Sequence, residues 1–148
     1  MLPYCANLDF FGVTFGVLSI QQGGIILHQI LAILWQDLGN QARLLAQPKH
    51  SEGEWLNSYI EPVLAKHPRR LCHAYKKNER RRLQQQLSRW LELERIRPPF
   101  KVIGIEKSVT LKLANYQIQC RIDRIDSLEN GQIILIDYKT GHAQLAEW

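Results

Sequence analysis

The segment CRIDRIDSLENGQIILIDYKTG, which begins at Cys120, places two aspartates and a lysine beside an apolar run. Asp137 and Lys139 follow four consecutive apolar residues, and Asp123 precedes the Asn130-Gly131 pair. Charged groups next to a buried strand lose hydration and need compensation. Mutual ion pairing, water or a metal ion could each supply it.

Strand geometry predicts that these residues lie together. Side chains alternate between the faces of a strand, so Asp137 and Lys139 share one face. The strand is apolar on both faces, which is typical of a central strand. Asn-Gly is a strong hairpin signal, and the turn brings Asp123 within a residue or two of the position opposite Asp137.

Two carboxylates at that spacing, with Cβ atoms about 5 Å apart, repel one another unless a cation lies between them. Oxygen ligands so placed suit Mg²⁺ or Mn²⁺. The alternative, an Asp137–Lys139 ion pair with a purely structural second aspartate, stays open on spacing alone. We interpret Asp126, beside the SLENG loop, as a turn-capping aspartate.

Two more residues could join such a site. Glu106 is expected at a strand end after Ile103 and Ile105, where a neighbouring strand could bring it to the same edge of the sheet. His28 lies one position off the apolar stripe of the first helix, and histidine is the commonest nitrogen ligand for metals. Their alternatives are an exposed edge glutamate and a boundary histidine.

The elements that must position these residues follow from hydrophobic periodicity. Apolar residues at helical spacing predict helices over about 27–38, 51–66 and 70–95, with Pro62 expected to kink or split the second helix. After Pro98-Pro99 the period drops to two, which predicts strands at about 101–107, 109–114, 116–125 and 132–139. Ala114-Asn115 is expected to form a tight turn.

A basic run, KKNERRR, lies on the third predicted helix from Lys76 to Arg82. It could be a solvated helix face or a surface that binds phosphates. The chain as a whole carries a formal net charge of +5, which permits attraction to a polyanion without establishing it.

Composition narrows the class of protein. Of the 148 residues, 45% are hydrophobic and 22% are charged, as in globular proteins. The three cysteines, Cys5, Cys72 and Cys120, do not have the spacing of a disulfide framework or a zinc site. The apolar start has no positive n-region and carries Asp9, so we do not expect a signal peptide. No segment has the roughly 20 apolar residues of a membrane helix. We expect a cytoplasmic protein with no membrane partner.

Four motifs together are specific: GGIILH, GIEK, RIDRID and IDYKTG, in this order. They resemble the PD-(D/E)XK nuclease superfamily in its RecB-like exonuclease branch, most nearly the nuclease domain of predicted bacterial DNA repair proteins. The resemblance spans about Gly12 to Gly141. It implies an α/β fold, with a restriction-endonuclease-like mixed central sheet flanked by helices and preceded by a helical segment.

The resemblance also implies roles for single residues. Asp123 and Asp137 would be acidic metal ligands, the carbonyl of Tyr138 would add an oxygen ligand, and His28 would be the metal-binding histidine of this branch. The ion would be Mg²⁺ or Mn²⁺, and the reaction the hydrolysis of DNA phosphodiester bonds.

The catalytic set implied by the resemblance adds two further residues to the two aspartates. Lys139 would orient or activate the attacking water, and Glu106 would be a supporting acid on the first predicted strand. Exonuclease action is expected rather than endonuclease action. The residues expected to contact DNA are Lys76, Lys77, Arg80, Arg81, Arg82 and Arg124.

The chain also departs from the family pattern. Cys120 stands where the motif usually has glycine, and the downstream glutamine-and-tyrosine segment of the family is absent before Trp148. Some relatives hold an iron–sulfur cluster with one early and three late cysteines. Cys5 is early but no late trio follows, so we expect no iron–sulfur cluster in this chain.

We therefore expect one nuclease-like domain over residues 1–148, with a helical part at about 23–97 and a sheet and active-site part at about 100–148. It would be a C-terminally truncated fragment of a larger repair protein, whose remainder or a helicase is a possible partner beside DNA. The alternative is a catalytically inactive DNA-binding or scaffolding domain of the same fold within a helicase–nuclease complex.

Overall fold

The computed structural model describes residues 6–10, 13–20, 24–66, 73–113 and 116–140. The chain divides into two compact units. A helical unit comprises Ile25–Pro99, and a sheet unit comprises Met1–Gly24 together with Phe100–Trp148. Within the described ranges, no helix is long and apolar enough to cross a membrane.

The helical unit follows the predicted hydrophobic periodicity. Its helices are α1 (Gly24–Leu38), α2 (Gln41–Leu45), α3 (Glu52–Ala65) and α4 (His73–Ile96), with a 3₁₀ turn at Lys49–Ser51 before α3. One apolar face of each of the four is buried, and burial of such faces is the main stabilisation of helices in proteins. The buried apolar residues of this unit are Leu27, Ile30, Leu31, Leu34, Trp35, Leu38, Leu44, Leu56, Ile60, Val63, Leu64, Leu83, Leu87, Trp90 and Leu91.

Helix ends in this unit are set by local chemistry. Gly39 has a φ of 68° and donates its N–H to the Trp35 carbonyl at 2.9 Å, which closes α1. The Asn40 side chain then accepts the Arg43 N–H at 2.9 Å and caps α2. Pro62 lies inside α3, which continues as one helix. The prediction of a split is wrong, because two buried apolar residues before Pro62 and two after it keep the turns packed: Leu56, Ile60, Val63 and Leu64.

The sheet unit contains five strands: β1 (Ala6–Phe10), β2 (Val13–Ile20), β3 (Phe100–Leu113), β4 (Tyr116–Leu128) and β5 (Ile133–Thr140). Their order across the sheet is β1-β2-β5-β4-β3. β2 runs parallel to β5, and the other neighbouring pairs are antiparallel. The mixed α/β class and the restriction-endonuclease-like sheet are confirmed, and β5 is the central strand that its two apolar faces predict.

Two features of the sheet differ from the sequence prediction. β1 and β2 were not anticipated in the apolar start of the chain. The two strands predicted at 101–107 and 109–114 are one continuous strand, β3, in which Glu106 has a φ of 48°. The expected turn at Ala114-Asn115 lies outside the described residues.

The β4–β5 hairpin forms at the predicted Asn-Gly pair. Gly131 has a φ of 83°, a value that L side chains rarely adopt, and it donates its N–H to the Leu128 carbonyl at 3.0 Å. The Asn130 side chain accepts the Gln132 N–H at 3.0 Å and stiffens the turn. This turn fixes the register of β4 and β5, the two strands that carry Asp123 and Asp137.

Candidate active site

Three acidic residues lie at one level of the sheet, on three adjacent strands. The pairing of β4 with β5 ends at Arg124 opposite Ile136, and the same register extended by one step places Asp123 opposite Asp137. On the other side of β4, Arg124 pairs with Ile105 and Ile122 pairs with Lys107, which leaves Glu106 at the level of Asp123. Opposed residues in neighbouring strands share a face. From β3 to β5, this level of the sheet therefore carries Glu106, Asp123 and Asp137, which we call the acid row.

The backbone ladder between β4 and β5 is interrupted at this row. The Tyr138 N–H donates to Oδ2 of Asp123 at 2.7 Å. Both strands continue past this point, but their described pairing does not. A main-chain donor thus holds one oxygen of Asp123 in place, and Asp123 and Asp137 are both half-buried. A carboxylate that accepts a backbone N–H is held in one orientation.

Glu106 is held differently. Its Oε1 lies 3.1 Å from Nη2 of Arg121, and both side chains are largely exposed. Its φ of 48° is in the left-handed region, which is uncommon for a residue with a side chain and costs of the order of 1 kcal/mol. Strained backbone of this kind tends to occur at functional sites. Glu106 was expected at a strand end, and it is instead a distorted point within a long strand.

A buried charge cluster lies on the opposite face of β4. Arg124 is 1% exposed and its Nη2 lies 2.9 Å from Oδ2 of Asp126, which is 0% exposed. The guanidinium also donates to the Tyr138 hydroxyl at 3.2 Å and lies over the Phe100 ring, 5.3 Å from its centroid. Burial and pairing contradict two sequence predictions: Arg124 is not presented for DNA contact, and Asp126 is a buried ion-pair partner within β4 rather than a turn cap.

This cluster connects to the row of acids through one residue. Tyr138 receives a hydrogen bond from Arg124 at its hydroxyl and donates its N–H to Asp123. Anchoring the ring on one face of the sheet therefore fixes the donor that orients the carboxylate on the other face. Sequence reasoning missed Arg124 and Asp126 in this role. The available signal was their i, i+2 spacing, which places both on the face of β4 that carries Ile122.

The structure describes the positions of two further predicted site residues, Lys139 and His28, without testing their roles. The backbone of Lys139 lies in β5, opposite Ser19 of β2, while its side chain lies outside the described part of the structure. His28 lies on α1 of the helical unit and is half-buried. The catalytic role of Lys139 and the metal-binding role of His28 remain predictions.

The basic run on α4 is partly neutralised by acids of the helical unit. Nε of Arg82 donates to Glu79 at 2.8 Å, and Arg80 forms an ion pair with Glu61. Of the remaining predicted DNA contacts on this helix, Lys77 and Arg81 are exposed and Lys76 is half-buried. Contact of this helix with DNA remains a prediction.

The donor set at the acid row suits a small divalent cation. Mg²⁺ is commonly held by one or two carboxylates, with water and substrate phosphate completing its shell. Asp123 and Asp137 would supply two carboxylates there, and an ionised Asp123 has lone pairs beyond the one that accepts Tyr138 N–H. Among the described residues, no three His, Cys, Asp or Glu side chains converge as a metal site. A two-carboxylate site completed by oxygen ligands is the arrangement these residues fit.

Comparison with known proteins yields one match. The family model of the PD-(D/E)XK nuclease superfamily matches residues 16–147, which include β3, β4 and β5. Neither a curated protein nor a solved structure matches the chain. Enzymes of this superfamily are nucleases that generally use divalent metal ions. With most of its length inside the match, and with paired acids at the centre of the matched sheet, the chain belongs to the PD-(D/E)XK nuclease superfamily.

Proposed function

We propose that this chain hydrolyses DNA phosphodiester bonds with Mg²⁺ or Mn²⁺ at the acid row of the sheet unit. The observation that carries the proposal is the 2.7 Å hydrogen bond from Tyr138 N–H to Asp123. The β4–β5 register supports it, because one step beyond Arg124–Ile136 would bring Asp123 opposite Asp137. An aspartate that is oriented by a backbone donor and faces a second aspartate is well suited to bind a cation and poorly suited to bind an anion directly.

Asp123, Asp137 and the carbonyl of Tyr138 would hold the metal ion. The bound ion would supply Lewis-acid polarisation of the scissile phosphate and lower the pKa of a coordinated water. The chain itself would contribute preorganisation in the absence of substrate. Arg124 donates a hydrogen bond to the Tyr138 hydroxyl, and the Tyr138 N–H donates to Asp123. Such preorganised groups avoid reorganisation at the moment of reaction.

Three other residues have proposed roles with less structural support. The Lys139 ammonium would orient the attacking water and offset the negative charge that develops on the phosphate oxygens. Glu106, at the level of Asp123, would act as a supporting acid once it is released from Arg121. His28 would contribute a nitrogen ligand to the metal.

We further propose a RecB-like exonuclease acting in DNA repair or recombination, with the rest of a larger repair protein or a helicase as its partner. The order of the motifs GGIILH, GIEK, RIDRID and IDYKTG supports this branch. The basic run on α4, where Lys77 and Arg81 are exposed, supports contact with DNA.

The test is degradation of end-labelled linear DNA, single- and double-stranded, with Mg²⁺ or Mn²⁺. Asp137→Ala and Lys139→Ala should each lower the rate about 100-fold or more, as losses of preorganised catalytic groups do. Glu129→Ala is the matched control, because this exposed acid lies at the other end of the same hairpin and its loss should leave the rate unchanged.

Other outcomes assign the function differently. Equal rates for Asp137→Ala and the unsubstituted chain would refute catalysis at the acid row. DNA binding without hydrolysis in any metal would favour the inactive scaffolding domain. Cleavage of closed circular DNA at the rate of linear DNA would refute the exonuclease assignment.

A further inference from the structure

Strands β3 and β4 extend past the acid row as a two-stranded ribbon. They pair with each other from Lys107–Ile122 to Leu113–Tyr116, whereas the described pairing of β4 with β5 ends at Arg124. We call residues 107–113 and 116–122 the β3–β4 ribbon. At about 3.4 Å per residue, β4 reaches roughly 20 Å from Asp123 to Gln117.

One face of the ribbon is entirely polar and continues the face of the acid row. Residues two apart on a strand share a face, so the alternate residues of β4 leading away from Asp123 lie on its side. Their partners on β3 lie opposite them. All six side chains are exposed and can hydrogen-bond: Ser108, Thr110, Lys112, Gln117, Gln119 and Arg121.

The charge of the ribbon has one sign. Between residues 107 and 122 the sequence contains Lys107, Lys112 and Arg121 and no aspartate or glutamate. The single acidic contact described for these cations is the Arg121–Glu106 pair at the base of the ribbon. Exposed Lys, Ser, Thr and Gln side chains are the groups that proteins use to bind phosphate and sugar oxygens.

We propose that the polar face of the β3–β4 ribbon binds the sugar–phosphate backbone of the substrate nucleic acid and leads it to Asp123 and Asp137. This inference rests on the proposed function. At 3.4 Å per stacked nucleotide, a ribbon of roughly 20 Å would follow about six nucleotides beyond the site of cleavage. The opposite face carries the exposed apolar side chains of Tyr116 and Ile118, and its one cation, Lys107, lies at the base of the ribbon opposite the buried Ile122.

The experiment measures binding of a fluorescent 12-nucleotide single-stranded DNA in EDTA, so that cleavage does not interfere. Lys112→Ala should weaken binding about fivefold at 0.1 M salt and reduce the slope of log K against log salt by about 0.7, the value for one lost phosphate contact. Lys101→Ala is the matched control, since Lys101 is an exposed lysine on the same strand at the far end of the hairpin.

A second control separates the two faces of the ribbon. Ile118→Ser should leave both affinity and salt slope unchanged. A Lys112→Ala variant that binds like the unsubstituted chain, or no more weakly than Lys101→Ala, would overturn the proposal, and so would weaker binding caused by Ile118→Ser alone. Because the assay contains no metal, these results stand apart from the hydrolysis assay, whose failure would refute the proposed function instead.

Discussion

The two ion pairs on opposite faces of β4 should differ sharply in their contribution to stability. Arg124 and Asp126 are 2.9 Å apart with side chains 1% and 0% exposed, whereas Arg121 and Glu106 are 3.1 Å apart with side chains 66% and 46% exposed. Arg124→Met and Arg121→Met remove the same cation from the same strand. The difference in stability between the two variants therefore measures the effect of burial on an ion pair.

The expected magnitudes follow from what each substitution leaves behind. Arg124→Met strands the Asp126 carboxylate in a buried site, which costs about 3–5 kcal/mol of unfolding free energy. Arg121→Met leaves Glu106 in contact with water and costs about 1 kcal/mol or less. With a urea m-value of about 2 kcal/mol/M, the urea midpoint should fall by roughly 1.5–2.5 M in the first variant and by at most about 0.5 M in the second.

The assay is urea unfolding at pH 7, followed by circular dichroism, with the m-value fitted for each variant. A third variant, Arg124→Met with Asp126→Leu, removes both buried charges and should recover most of the loss. Equal midpoints for Arg124→Met and Arg121→Met would refute the assigned burial. A double variant less stable than Arg124→Met would refute the view that an unpaired carboxylate causes the loss.

Two further predictions concern the helical unit. Burial, reinforced by the hydrogen bond to Asp37, raises the pKa of Tyr59 to about 12. The stability that the protonated hydroxyl contributes below pH 10 should therefore be lost as the pH rises from about 10 to 12. Tyr59→Phe should show a smaller drop in urea midpoint between pH 9 and pH 11 than the unsubstituted chain. Gln41 is 5% exposed, and its amide donates to the backbone carbonyl of Glu94 at 3.0 Å. Gln41→Leu should lower the free energy of unfolding, measured with urea or heat, by about 1–3 kcal/mol. Gln85 is exposed, and the control Gln85→Leu should change it by about 0.5 kcal/mol or less.

The register of the β4–β5 hairpin, on whose strands Asp123 and Asp137 lie, was predictable because one local signal fixes it. An Asn-Gly turn sets the register of a hairpin, and the two-residue period then carries that register outward along both strands. The three long helices, α1, α3 and α4, were predictable for a similar reason, since each shows a long apolar stripe, whereas the five-residue α2 is too short to show one. In both cases the information lies within about 20 residues of the feature, a length over which periodicity is informative.

The missed elements depend on partners that are distant in sequence. β2 pairs in parallel with β5, more than 100 residues later in the chain, and a parallel pair has no local turn signal that could reveal it. The pairing of Arg124 with Asp126 depends on which face of β4 is covered, and that is decided by tertiary packing. The left-handed φ of Glu106 could not be predicted from the sequence, because glutamate rarely adopts this conformation.

The central claim is that Asp123 and Asp137 share a divalent cation, and the most direct measurement is anomalous diffraction from crystals of the chain soaked in millimolar Mn²⁺. The account predicts an anomalous peak about 2.0–2.3 Å from a carboxylate oxygen of each aspartate, which disappears in Asp137→Ala crystals. Crystals in which the two carboxylates point to different faces of the sheet, or in which manganese binds elsewhere and leaves both aspartates without it, would contradict the account.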